Sequence, residues 1–259
     1  MQLRIFLGVA LLSTVLSFPV HAQEKWKALK TRHFIIYFQN APMNFIKEVD
    51  QAAEDDYTEI SSALGVRRMK TWTFDDRAVI YIYDDAEHYM VSSKQASWSH
   101  GVASPEDKII RSFPSAHGFF DSILPHEMTH IIFREVIGYE ARVPSWFEEG
   151  VAMYYETGQR FGADKAVRTT INNGTFIPLA ELSDMFLTKA DSQEKVELFY
   201  QEAASAVNFL IEQLGSHKFK LFCRELEEGN DFGQAVAAIY TRQKNLSGLN
   251  RAWVDFLQD

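Results

Sequence analysis

The pattern of apolar residues divides the chain near residue 120. Before that point, two runs rich in β-branched and aromatic residues, 34–38 and 78–83, are typical of strands. Between them, apolar residues at helical spacing predict a helix over 44–64 that ends at Gly65. A shorter run, 108–113, predicts a third strand after a turn-rich stretch that contains Gly101, Ser104 and Pro105.

Beyond Ser122 the apolar positions follow helical spacing throughout. The predicted helices cover residues 123–136, 145–156, 179–187, 196–214, 219–227, 232–240 and 249–257. Strands followed by helices predict an α+β fold rather than an alternating parallel-sheet fold. We therefore expect an N-terminal mixed β-sheet lobe with helices, at about 23–120, followed by a mainly α-helical lobe at about 121–259.

Residues 1–22 have the three parts of a secretory signal peptide. Arg4 precedes an apolar run from Ile5 to Leu16, and small residues lead to a cleavage site after Ala22. The alternative is an uncleaved membrane anchor, but the apolar run is shorter than the roughly 20 residues that a spanning helix needs. No later segment has that length and apolarity, so we expect export to the periplasm or beyond the cell, with no membrane span after removal of the signal.

The composition of the chain excludes some kinds of binding partner and some kinds of metal ligand. A net charge of -9 argues against a nucleic-acid surface, which needs clustered Lys and Arg. Cys223 is the only cysteine, so an internal disulfide and a thiolate-rich zinc site are both excluded. Its apolar neighbours indicate a buried small side chain rather than a nucleophile. Any metal ligands must therefore come from histidines and carboxylates.

The segment from His126 to His130 has the spacing of a zinc motif on a helix. Residues four apart return to nearly the same helical face, so His126 and His130 can reach one ion. Glu127 is offset by about 100° and can act as a general base on a water at the metal. Pro125 lies near the start of this helix, where proline is tolerated.

A catalytic zinc needs a third protein ligand. The metzincin arrangement is excluded, because Phe133 and Val136 occupy its glycine and histidine positions. The following helix offers two neighbouring glutamates. Ser145 and Glu148 have the spacing of a capping box, which assigns Glu148 to the helix start. Glu149 is then the favoured ligand, although spacing alone leaves Glu148 open.

These motifs resemble those of the gluzincin metallopeptidases, especially the aminopeptidase N-like branch. In that branch a ligand glutamate follows the zinc motif after eighteen residues, and Glu149 stands at this distance from His130. Exported peptidase MA-like proteins look similar over nearly the whole mature chain, as far as a tryptophan near Trp253. The resemblance implies a thermolysin-like helical catalytic lobe, one zinc ion per chain held by His126, His130 and Glu149, and a peptide or protein substrate.

The same resemblance implies that Tyr200 donates a hydrogen bond to the transition-state oxyanion; the alternative is that this tyrosine only packs against its helix. It also suggests that the strand near residues 108–111 presents backbone groups to an extended peptide.

Two features of the branch are missing from the sequence. Residues 101–106 do not match the segment that binds the substrate's amino terminus, so the exopeptidase specificity is not implied. Met153 stands where thermolysin-like enzymes carry an aspartate, which leaves the partner of the zinc-binding imidazoles unassigned.

Two other functions remain alternatives on the same motifs. One is a zinc hydrolase that acts on a non-peptide amide or ester. The other is a catalytically idle binding protein, which the presence of Glu127 disfavours because a pure binder needs no base beside the metal. The sequence does not indicate an oligomeric state.

Overall fold

A five-stranded mixed sheet forms the N-terminal half of the fold. The computed structural model describes residues 25–66, 72–95, 99–156, 162–188 and 190–259, so the predicted signal peptide lies outside the described residues. The strands are β1 (Lys27–Lys30), β2 (Phe34–Phe38), β3 (Ala78–Ile82), β4 (Gly101–Ser104) and β5 (Ile109–Ser112). Their order is β1-β2-β3-β5-β4, with β2, β3 and β5 parallel and the two edge strands antiparallel.

The strand alternation explains which face of the sheet is buried. In β2, Phe34, Ile36 and Phe38 are buried while the residues between them are partly exposed, as expected for a strand with one face on the core. The first helix, α1 (Met43–Leu64), packs its own buried residues into the same core. It ends where predicted, because Gly65 adopts a left-handed conformation with φ of 81° and its N–H bonds to Ser61.

Helices make up most of the chain after the sheet. Their bounds are α2 (Ala86–Ser93), α3 (Leu124–Ile137), α4 (Ser145–Tyr154), α5 (Ala163–Asn173), α6 (Leu179–Ser183), α7 (Gln193–Asn208), α8 (Ser216–Glu227), α9 (Phe232–Ile239) and α10 (Leu246–Gln258). The segments Phe119–Ile123 and Phe209–Gln213 are π-helical. The predicted α+β fold is confirmed, although β1, α2 and α5 were not predicted. The turn-rich stretch near Gly101 is in fact the edge strand β4.

The helices α4 and α7 cross at close range, and Gly150 makes this possible. A Cβ atom at Gly150 would lie 2.4 Å from the carbonyl oxygen of Ala203 and 2.6 Å from Cγ2 of Val207. Any side chain at this position would push the two helices apart. The crossing therefore sets the distance between Glu149 on α4 and Tyr200 on α7.

None of the described helices combines the length and the apolarity needed to cross a bilayer.

A carboxyl group is buried inside α7. The side chain of Glu202 is fully buried, and its two oxygens accept the N–H of Ile177 at 2.9 and 3.2 Å. Burial raises the pKa of Glu202 to about 8, against the lowering effect of the hydrogen bonds from Ile177 and Thr170. The folded protein therefore holds a proton on Glu202 at pH values where the unfolded chain has lost it.

This buried proton predicts a pH dependence of stability. The folded pKa is above the ordinary value of 4.5, so the free energy of unfolding should fall as the pH rises from about 4.5 to about 8. A single proton gives a slope of about 1.4 kcal/mol per pH unit. The variant Glu202→Gln should lack this contribution. Urea unfolding of both proteins across this pH range measures it, and parallel curves for the two would contradict it.

Candidate metal centre

Two histidines of α3 point toward one position. His126 and His130 are one helical turn apart, and their Nε2 atoms are 3.1 Å from each other. The helix begins at Leu124, with Pro125 in its first turn, where the missing N–H costs no hydrogen bond. The rest of the helix is anchored in the core by the buried residues Met128, Ile131 and Ile132. The sequence therefore holds both imidazoles on a rigid, half-buried helical face.

Glu149 on α4 completes a group of three side chains that could hold a metal ion. Its Oε2 atom lies 3.5 Å from Nε2 of His126 and 3.9 Å from Nε2 of His130. One ligand atom from each residue lies within 4.8 Å of the others. Zinc bonds of about 2.0–2.1 Å in a tetrahedron put ligand atoms about 3.4 Å apart. The two nitrogens and one oxygen therefore fit a zinc ion in both spacing and donor type.

The electrostatics of this group favour a positive charge. Burial lowers the pKa of His126, but hydrogen bonds to Glu149 and Glu156 and the charge of Glu127 raise it to about 10. Burial raises the pKa of Glu149, yet the two histidines outweigh burial and lower it. Two imidazole nitrogens 3.1 Å apart also need a cation or a proton between them. The protein supplies more negative than positive charge here, as a divalent cation requires.

Glu156 provides the partner of His126 that the sequence left unassigned. Its Oε1 atom is 2.7 Å from Nδ1 of His126, and the hydroxyl of Ser122 donates to its other oxygen. With Nδ1 donating to Glu156, Nε2 of His126 presents a lone pair to the metal position. Glu156 lies two residues beyond the end of α4 at Tyr154. The family pattern points only to the position four residues after Glu149, where Met153 stands, so Glu156 was not predicted.

The predicted capping box is wrong. Pro144 precedes the first turn of α4, and no side chain caps the helix. The hydroxyl of Ser145 donates instead to the carbonyl of Met185. Glu148 forms a two-pronged ion pair with Arg134 of α3.

The ion pair of Glu148 ties the two metal-binding helices together. Its Oε1 atom lies 3.8 Å from Nδ1 of His130, too far for a hydrogen bond. Burial raises the pKa of Glu148, but His130 and Arg134 outweigh burial and lower it to about 2. Glu148 is thus a structural anion beside His130, while its neighbour Glu149 faces the metal position.

Glu127 lies between the metal group and the edge of the sheet. Burial raises the pKa of Glu127, against the lowering effect of His126 and His130. The backbone N–H of Ala103 on β4 also lowers the pKa of its carboxyl group. A Cβ atom at Gly101 would lie 2.4 Å from Cγ2 of Ile123 and 3.2 Å from Oε1 of Glu127. The glycine therefore lets the edge strand approach the carboxylate.

The strand expected to receive a peptide is not the one beside Glu127. Strand β5, over Ile109–Ser112, pairs with β3 on one side and β4 on the other. Both of its edges are occupied, so the prediction for residues 108–111 is wrong. The free edge near the metal group is that of β4.

Tyr200 projects from α7 into a cavity next to the metal group. The cavity is also lined by His126 and Glu156. Burial raises the pKa of Tyr200, and the charges of Glu149, Glu127 and Glu156 raise it further. The phenol therefore keeps its proton at neutral pH and can donate a hydrogen bond.

Three other side chains with possible ligand or nucleophile chemistry, two histidines and the cysteine, lie outside this group. His100 and His117 are exposed. Cys223 is buried and free, and burial raises the pKa of its thiol. Neither histidine takes part in the His126, His130 and Glu149 group, and the thiol is unsuited to act as a nucleophile.

An α+β fold that brings two histidines of one helix and a glutamate of the next around one point has the arrangement of a metallohydrolase. The family model of the Peptidase MA superfamily matches residues 58–259. The chain therefore belongs to the Peptidase MA superfamily, which indicates a zinc metallopeptidase-like hydrolase. The match begins inside α1 and includes β3, β4, β5 and all the later helices. No curated protein sequence matches the chain.

The bond between Glu156 and His126 predicts an effect on metal affinity. Replacing Glu156 by Ala should weaken zinc binding by about tenfold to hundredfold, since the imidazole loses its orienting partner. Glu156→Gln should have a smaller effect, because the amide oxygen can still accept from Nδ1. Competition with a chromogenic chelator measures these affinities. The exposed Glu228→Gln variant is the matched control, and equal affinity in all four proteins would contradict the assigned role.

Proposed function

We propose that this chain is an exported zinc metallopeptidase that hydrolyses peptide bonds. A single zinc ion is held by His126, His130 and Glu149, Glu127 is the general base, and Tyr200 is the oxyanion donor. The observation that carries this proposal is the convergence of three possible ligand atoms within 4.8 Å, with the partly buried Glu127 next to them. Membership of the Peptidase MA superfamily supports a peptide or protein as the substrate.

The residues around the metal position have separate chemical tasks. Zinc, when bound, supplies a Lewis acid that polarises the scissile carbonyl and lowers the pKa of a water to about 7. Glu127 takes a proton from the attacking water and passes it to the leaving amine. Its position between α3 and β4 favours this, because desolvation there raises the pKa of its carboxyl group, and a raised pKa suits a base that must also return the proton.

Tyr200 is suited to stabilise the developing negative charge. Its raised pKa keeps the hydroxyl protonated, and it lines the cavity that also contains His126. The crossing of α4 and α7 at Gly150 holds its helix close to Glu149. An oxyanion donor of this kind contributes on the order of 3 kcal/mol to the transition state.

The edge of β4 is the proposed binding surface for the substrate backbone. This strand is the outermost strand of the sheet and pairs with β5, and the carboxylate of Glu127 lies beside it at Gly101. An extended peptide that adds to this edge places its carbonyl groups beside the general base. The glycine at position 101 keeps this strand in contact with α3.

The remaining parts of the proposal rest on the sequence. The eighteen residues between His130 and Glu149 favour the aminopeptidase N-like branch of the gluzincins, with a thermolysin-like helical lobe. The features of residues 1–22 support export to the periplasm or outside the cell, and a mature enzyme that consists of a sheet lobe up to about 120 and a helical lobe after it. The binding segment for a free amino terminus is missing, which favours cleavage inside a chain.

The test of the proposal is a peptide-library digest with zinc-loaded protein. The wild type should contain about one zinc per chain and cleave peptides. The Glu127→Gln variant should retain zinc and lose at least about a hundredfold in kcat, because the water then lacks its base. Full activity in this variant would refute the mechanism. Inert peptides together with turnover of esters or other amides would favour a non-peptide hydrolase, and no turnover of any substrate would favour a binding protein.

The role of Tyr200 has its own test. The Tyr200→Phe variant keeps the ring but lacks the hydroxyl donor, so kcat should fall by about a hundredfold to a thousandfold while KM changes little. Tyr240→Phe is the matched control, since Tyr240 is buried among the helices away from the metal group. If turnover by Tyr200→Phe equals that of the wild type, Tyr200 only packs against its helix.

A further inference from the structure

A cavity of about 400 Å³ opens beside the metal group. It lies between the start of α3, the end of α4 and the N-terminal half of α7. Its lining residues are Ser122, His126, Met153, Glu156, Val196, Glu197, Tyr200 and Gln201. Because His126 is one of its walls, a substrate whose scissile bond is at the metal would place a neighbouring side chain in this cavity.

One face of α7 gives the cavity its amphipathic character. Val196 and Tyr200 are four residues apart, as are Glu197 and Gln201, so the members of each pair project from the same side of the helix. Val196 and the ring of Tyr200, together with Met153 on the opposite side, form apolar walls. Such walls suit a side chain with a methylene stem, and a long aliphatic stem can lie along them while its tip reaches water.

The polar part of the cavity carries negative charge. Glu156 is occupied by hydrogen bonds from His126 and Ser122. Glu197 is exposed, lies one turn before Gln201, and accepts a hydrogen bond of 2.8 Å from the amide of Gln193. A neutral amide does not compensate the charge of Glu197. Among the described residues that line the cavity there is no Lys or Arg.

We propose that this cavity selects substrates with lysine or arginine next to the scissile bond, with Glu197 as the residue that recognises the cationic group. The proposal rests on the proposed peptidase function and names the substrate class for the same site. The stem of the substrate side chain lies along Met153, Val196 and the ring of Tyr200. Its ammonium or guanidinium group reaches Glu197 and the amide oxygen of Gln201.

Charge distinguishes this class of substrate from the alternatives. An acidic side chain in the cavity would lie near the carboxylates of Glu156 and Glu197, which disfavour it. A purely aliphatic side chain would fit the apolar walls but leave the carboxylate of Glu197 without a cationic partner. The net charge of -9 on the whole chain also attracts cationic peptides at low ionic strength.

The test compares peptides that differ only in one terminal ammonium group. A set of alanine-rich hexapeptides carries either lysine or norleucine at each position, since norleucine has an aliphatic side chain without the charge. The zinc-loaded wild type should cleave the lysine peptides about fivefold faster in kcat/KM, at one fixed position relative to the scissile bond. Glu197→Gln should abolish this difference, and Glu197→Lys should reverse it, so that the norleucine peptides are cleaved faster. Glu181→Gln removes the same charge from the exposed surface of α6 and should leave the preference unchanged.

Binding measured in parallel separates this proposal from the proposed function. The zinc-loaded Glu127→Gln variant, with and without Glu197→Gln, is titrated with the same peptides by fluorescence anisotropy. Cleavage without a preference for lysine would refute the cavity proposal and leave the peptidase function intact. If no peptide is cleaved, the peptidase function fails. In that case tighter binding of lysine peptides that depends on Glu197 would still support the recognition site, whereas equal binding of both peptide series would refute it.

Discussion

A cluster of buried and partly buried carboxylates around two histidines is the constraint on which the rest of this structure depends. His126, His130 and Glu149 bring two nitrogens and one oxygen to within 3.9 Å of each other, and Glu127 and Glu156 add two further carboxylates around them. Without a positive charge at the centre, these groups would repel one another in a partly dehydrated site. The surrounding helices therefore hold an arrangement that is unfavourable on its own and favourable around a metal ion. Their anchoring by Arg134 and by the apolar core makes this arrangement possible.

Two close approaches of the backbone bring other parts of the fold to this centre. Strand β4 touches α3 at Gly101, where a side chain would collide with Ile123. Helix α7 touches α4 at Gly150, next to Glu149. The sheet thus contributes its outermost strand and the helical half contributes Tyr200, while His126, His130 and Glu149 lie on α3 and α4. Each contribution depends on a residue without a side chain at the contact, so the cleft is assembled from elements that are far apart in the chain.

The sequence predicted the features that depend on local periodicity. The helix that carries His126 and His130 and the α+β order follow from the spacing of apolar residues, whereas the choice of Glu149 over Glu148 as a ligand rests on the family resemblance and stays a prediction. Strand β4 was missed because four residues with glycine and serine have little strand propensity, and their pairing with β5 is decided by the sheet. The capping box failed for a similar reason. Arg134, fourteen residues earlier in the chain, binds Glu148 in the folded protein. The capping-box pattern considers only residues three apart, so it could not predict this contact.

The π-helical segment Phe119–Ile123 leads directly into α3. A π-helical turn contains one residue more than a turn of α-helix. The widened turn is closed by a bond from the N–H of Leu124 to the carbonyl of Phe119. Such a turn changes the angular position of everything before it by about one residue, or 100°, while the helix after it is unchanged. Ser122 lies inside this turn and reaches Glu156 from there. A homologue that lacks one residue in this segment would keep α3 unchanged but direct a different side chain toward Glu156. Length variation at this point would therefore alter the hydrogen bonding of Glu156, the partner of His126, without altering the spacing of His126 and His130.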